Sequence, residues 1–107
     1  MKADSIIIDR IRDSAEKIIR HIQGKSLEEF KADECVSAAT ILWLLQIGEL
    51  AKHLGSKTKE MYVLPWKDIA GFRDMAVHEY FELSLPDIFL TATKDIPELL
   101  HELSRQR

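Results

Sequence analysis

Apolar residues recur along this chain at helical spacing in four stretches separated by short polar breaks. The first begins near Asp4 or Ser5 and sets Ile8, Ile11, Ala15, Ile18, Ile19 and Ile22 on one stripe, three or four residues apart. Arg10, Arg12, Asp13, Glu16, Lys17 and Arg20 fall on the other side and read as a solvated face. Gly24 stands where a left-handed residue would end the helix. Ser26 and Glu29 have the spacing of a capping box, and Leu27 and Phe30 form a short apolar lid before a second start at Asp33.

The second stretch is the longest. Val36, Ala39, Thr40, Trp43, Leu44, Ile47, Leu50, Ala51 and Leu54 follow the helical period up to Gly55. Ile41, Leu42 and Leu45 add apolar surface beyond one stripe, so this helix either lies at the centre of a bundle or also faces another subunit. Ser56 to Glu60 reads as a polar connection, with Met61, Tyr62, Val63 and Leu64 returning to the core. Pro65 suits a first helical turn, and a third helix is predicted from Pro65 or Trp66 to about Glu79, anchored by Ile69, Phe72 and Ala76 with Trp66 as a core aromatic. Ser84, Pro86 and Asp87 start a fourth helix carrying Ile88, Phe89, Ala92, Ile96, Leu99, Leu100 and Leu103. Pro97 removes the bond to the Thr93 carbonyl and predicts a kink there.

Four glycines and three prolines in 107 residues leave room for few turns. The pattern predicts an all-α fold in one domain over residues 1–107. Its architecture is an antiparallel four-helix bundle, with a short extra helix or turn in a connection. A net charge of −3 excludes nonspecific coating of nucleic acid, so any RNA contact must be local. The single cysteine, Cys35, has no partner for an intrachain disulfide; it predicts a reducing compartment and buried or half-buried packing. The N-terminus has no signal-peptide pattern, and no apolar run approaches roughly 18 residues, so a cytoplasmic chain without a membrane segment is expected.

Chemistry concentrates in Arg73-Asp74-Met75-Ala76-Val77-His78-Glu79-Tyr80. Arginine offers a planar fork of donors for phosphate, and histidine can move a proton near neutral pH. The plain alternative is that Arg73 and His78 are ordinary polar residues of an amphipathic helix. On a regular helix Arg73 and Tyr80 share a stripe about 10 Å apart along the axis, while His78 lies about 140° round from Arg73. Either the helix departs from ideal geometry near His78, or two copies of the motif meet in a composite cleft. Glu98 and His101 have a di-iron spacing that occurs once, where such a site needs it twice. Glu49 and His53 form a single i, i+4 pair, and His21, His53 and His101 read as surface residues. With no phosphate loop, serine elbow or zinc spacing, no metal site and no cofactor are expected.

The run from Pro65 to Arg73 and on through His78-Glu79-Tyr80-Phe81 resembles the Arg-x4-His-x-Tyr signature of HepT-like toxins in the HEPN superfamily. Gln46-Ile47-Gly48-Glu49-Leu50-Ala51-Lys52 is similar to that family's other recurrent stretch. The resemblance implies a homodimeric, metal-independent endoribonuclease toxin in which the RNA's own 2′-hydroxyl attacks the adjacent phosphorus, leaving a cyclic phosphate end. Arg73 and His78 would be catalytic, with Asp74 supporting them. It also implies a partner antitoxin, a minimal nucleotidyltransferase, that inhibits the toxin by placing AMP on Tyr80. The second reading is a non-catalytic binding module that supports a partner nucleotidyltransferase.

Overall fold

The periodic stretches fold into helices, and the breaks between them carry the caps that their side chains announce. The computed structural model describes residues 2–105, and among these it contains helices and turns but no strand. Helix α1 spans Lys2–Ile22 and ends at Gly24, whose φ of 78° is the left-handed conformation that glycine adopts at no steric cost. Helix α2, Leu27–Ala32, opens with the capping box: the Ser26 side chain accepts from the Glu29 amide while Glu29 reaches back to the Ser26 amide. Its Phe30 is fully buried.

Helix α3, Glu34–Lys52, is capped by Asp33, which accepts from the Val36 amide at 3.1 Å. Helix α4 is Ser56–Met61, α5 is Trp66–His78, and a single 3-10 turn follows at Tyr80–Glu82. Helix α6, Leu85–Leu90, starts at Ser84, which caps the Asp87 amide at 3.3 Å. A π segment over Thr91–Asp95 joins α6 to α7, Ile96–Arg105. Pro97 accounts for that segment. Without a donor at 97 the regular ladder is interrupted, and the Ile96 amide bonds to the Thr91 carbonyl, five residues back. The predicted kink is thus a local widening of one continuous helix.

The architecture is an all-α helical bundle built from α1, α3, α5 and the α6–α7 unit. Helices α1 and α3 run antiparallel: Asp4 meets Gly55 and Thr58, Ser14 bonds Gln46, and His21 stacks beside Trp43. The core joins Ile8, Ile11 and Ile18 of α1 to Ile41, Leu44 and Ile47 of α3 and to Ile88, Leu99 and Leu103. Among the described residues α3 alone is long and apolar enough to cross a membrane, although no single apolar run in the sequence is that long. Its packing explains this composition, because α1 and α5 both lie against it. The helix is central, and Leu42 remains 52% exposed on its outer face.

The fold corrects four expectations. Residues 56–61 are helical rather than a plain connection, with Thr58 buried and bonded to Asp4. Met61 and Val63 do not return to the core: only Tyr62 is buried, with Leu64 partly so. Cys35 is exposed, because it falls on the outer side of the first turn of α3. Arg12 does not belong to the solvated face; its side chain is 12% exposed, pairs with Asp9 and donates to the Leu103 carbonyl at 2.6 Å. That carbonyl lies in the last turn of α7, where unpaired acceptors favour a cation.

Candidate functional site

Two glycine-free turns of α5 carry the motif, and their orientation is set at the start of the helix. Trp66 donates its indole N–H to the carbonyls of Lys59 (3.0 Å) and Tyr62 (3.3 Å), so α5 is pinned to the end of α4. Ile69 and Phe72 pack against the core and Ala76 is fully buried. With that stripe inward, Arg73 faces α3.

Gly48 makes the approach of the two helices possible. A Cβ at this position would stand 2.8 Å from the Arg73 Cβ and 2.9 Å from the Ile69 carbonyl oxygen. Any larger residue would hold α3 and α5 apart. The close approach brings opposite charges from the two helices together. Arg73 Nε lies 3.0 Å from Glu49 Oε1, and Arg73 Nη1 donates to Asp74 Oδ1 at 3.1 Å. Lys52 Nζ donates to the same Asp74 oxygen at 3.0 Å, and His53 Nε2 lies 3.1 Å from Glu49 Oε2. The resulting chain runs His53, Glu49, Arg73, Asp74, Lys52.

The electrostatics follow from these contacts. The Glu49 carboxyl is held below its usual range, first by the His53 hydrogen bond and then by the Arg73 charge. Asp74 is lowered likewise, by its hydrogen bonds from Lys52 and then Arg73. Both carboxylates are therefore charged across the neutral range. Asp74 accepts from Arg73; no hydrogen bond or ion pair joins it to His78 among the described residues.

His78 is exposed and is the last residue of α5. The backbone leaves the helix one residue later, at Glu79, with φ −130° and ψ 39°. The helix thus departs from ideal geometry just after His78, which moves Tyr80, while His78 itself still belongs to α5. The shared stripe expected for Arg73 and Tyr80 is lost for the same reason. Tyr80 sits in the 3-10 turn, 44% exposed, with its ring edge-on to Phe81 at 5.5 Å. Phe81 is 98% exposed. Both border a cleft against Ser37, Ala38 and Ile41 of α3. A separate cavity of about 450 Å³ is lined by Leu44, Ile47, Phe72 and Leu99, and it includes neither Arg73 nor His78.

Sequence reasoning missed Gly48, Glu49 and Lys52 as neighbours of the motif. The signal available was the recurrent stretch from Gln46 to Lys52, whose residues the fold sets against Arg73 and Asp74. Among the described residues no group of three or more His, Cys, Asp or Glu side chains is placed to hold a metal ion.

A family model described as Ribonuclease HepT-like matches residues 11–105. A protein of Caldanaerobacter subterraneus subsp. tengcongensis carrying the name "Putative RNase" is 37% identical over 100 residues, covering 92% of this chain and 89% of its own length. A "Putative RNase" of Methanocaldococcus jannaschii is 33% identical over 89 residues, covering 82% of this chain and 77% of its own. The "Probable ribonuclease HepT" of Thermococcus cleftensis is 28% identical over 101 residues, covering 94% and 92%. No solved structure gives a significant match.

Proposed function

Since the chain belongs to the HepT-like ribonuclease family, we propose that it is a metal-independent endoribonuclease toxin. The observation that carries this reading is the presentation of the motif: Arg73, His78 and Tyr80 all reach solvent along the end of α5 and the turn after it. Arg73 is 36% exposed and already oriented, and His78 has no hydrogen bond or ion pair among the described residues.

The chemistry is transesterification within the RNA. A general base takes the 2′-hydroxyl proton, the 2′-oxygen bonds to phosphorus, and the bond from phosphorus to the 5′-oxygen breaks. A general acid protonates that leaving oxygen, so the products are a 2′,3′-cyclic phosphate and a free 5′-hydroxyl. His78 carries a proton transfer and Arg73 stabilises the charge on the phosphoryl oxygens. Because α5 is regular through His78, one copy points the two side chains apart. A homodimer that pairs two motifs supplies both groups to one phosphate. Leu42, Val77 and Phe81, exposed on α3, α5 and the turn, offer apolar surface for that contact.

Tyr80 is the site of control. A partner minimal nucleotidyltransferase transfers AMP from ATP to its accessible hydroxyl, releasing pyrophosphate. The added charge and bulk then exclude RNA phosphate. The toxin and its partner act in the cytoplasm. One observation favours a second reading, in which the chain is a binding module: Arg73 is already engaged by two carboxylates, as a structural arginine would be. Alanine at Arg73 or at His78 separates the readings. The ribonuclease reading expects cleavage by wild type to be lost in both variants with helical content unchanged, whereas RNA left uncut by all three folded proteins would leave the binding module.

A further inference from the structure

The ribonuclease reading needs Arg73 to meet a phosphate in one fixed orientation, and the structure shows what fixes it. Arginine has many rotamers, and an exposed guanidinium normally samples them. Here it is held at two points, Nε and Nη1. Glu49 faces Nε at 3.0 Å from the neighbouring helix, and Asp74 accepts from Nη1. Nη2 has no partner among the described residues. The second oxygen of Glu49 is itself fixed by His53 at 3.1 Å, so the carboxylate is not free to turn away. Gly48, one residue earlier, brings the two helices close enough for this contact.

A carboxylate beside a phosphate-binding site carries a cost, because it repels the RNA backbone. Its presence calls for an offsetting contribution. We propose that Glu49 is a positioning residue for the reaction: it clamps the Arg73 side chain so that Nη2 is presented to the scissile phosphate. This rests on the ribonuclease reading of the site. It makes Glu49 act through Arg73, without touching substrate.

The two effects of Glu49 oppose one another, which gives the proposal a signature. Removing the carboxylate relieves repulsion of RNA, so KM stays level or falls. Loss of orientation lowers kcat, since a displacement of about 1 Å in a catalytic group costs roughly 100-fold. A merely structural role would instead lower stability without separating kcat from KM. At 47% side-chain exposure, Glu49 is replaceable without opening the core.

The experiment compares wild type, Glu49→Ala and Glu49→Gln by steady-state cleavage of a single-stranded RNA, and by nitrogen-15 NMR of the Arg73 side chain. Glu49→Ala is expected to lose about 10- to 100-fold in kcat with no rise in KM, and the Arg73 side chain to become more mobile, seen as a lower Nε order parameter. Glu49→Gln, which keeps an oxygen facing Nε but not the charge, is expected to fall between the two. Unchanged kcat in Glu49→Ala, or an Arg73 side chain as ordered as in wild type, would overturn the proposal. If wild type cuts no RNA while Arg73 is ordered, the ribonuclease reading itself fails, and a catalytic purpose for the clamp fails with it.

Discussion

Gly48 and Arg73 lie so close that a methyl group on the glycine would stand 2.8 Å from the arginine Cβ. The contact joins the longest internal helix to the helix that bears the motif, and the other near atoms are backbone: the Ile69 carbonyl oxygen at 2.9 Å and the Arg73 nitrogen at 3.3 Å. Backbone atoms inside a helix cannot rotate aside. Gly48→Ala should therefore push α5 from α3, at a cost of about 1–3 kcal/mol typical of overpacking. It should also pull Arg73 from Glu49. Urea denaturation measures the first effect and RNA cleavage the second; a variant as stable and active as wild type would mean that the helices adjust freely.

The composite site can be tested by mixing two inactive proteins. If Arg73 of one copy works with His78 of the other, a heterodimer of Arg73→Ala and His78→Ala retains one intact pair. Co-refolded mixtures should then recover activity, up to about half the wild-type level per heterodimer, while each variant alone stays inactive. No recovery in a mixture shown to contain heterodimer would place the functional pair within one chain.

Tyr80 is exposed and makes its one described ring contact with Phe81, so removing its hydroxyl should leave the fold and the chemistry untouched. Tyr80→Phe is expected to cut RNA as wild type does and to resist inhibition by the partner nucleotidyltransferase with ATP. Intact-mass measurement checks the assignment: an AMP adduct on wild type and none on the variant. An adduct that survives in Tyr80→Phe would move the modification elsewhere.

Acid stability should report on Asp4. Its carboxylate accepts from the Thr58 hydroxyl at 2.7 Å and from the Gly55 amide at 3.1 Å, joining the start of α1 to the turn after α3. The Thr58 bond, then the Gly55 bond, hold its pKa below the ordinary value. A carboxyl depressed in the folded state stabilises the protein above its unfolded pKa of about 3.9, and that contribution is lost as pH falls through the folded value. Asp4→Asn should thus be less stable than wild type at pH 6, with the gap narrowing below about pH 4. A gap independent of pH would show that the charge is not what matters.

The helix boundaries were largely legible because their signals are local. Ser26 with Glu29, Asp33, Ser84 and Gly24 each act within a few residues of themselves, and each caps or ends a helix where its spacing says. Helix α4 was not, since its outward face is polar and its stability comes from Thr58 reaching Asp4, 54 residues away. Met61 and Val63 show the same limit: apolar character marks a residue that could be buried, and packing decides. The motif from Arg73 to Tyr80 was visible for its chemistry, but its partners were not. Glu49, Lys52 and Gly48 meet it through the register between two helices, which periodicity within either one does not contain.

If this chain cuts RNA with its own side chains, no metal ion is needed for the reaction. Purified protein should be incubated with RNA in excess EDTA, wild type beside His78→Ala, and the new ends examined for cyclic phosphate. Cleavage by wild type alone, leaving 2′,3′-cyclic phosphate and 5′-hydroxyl ends, is the predicted result. RNA left intact by the folded, unmodified protein, with or without added divalent metal, would contradict it.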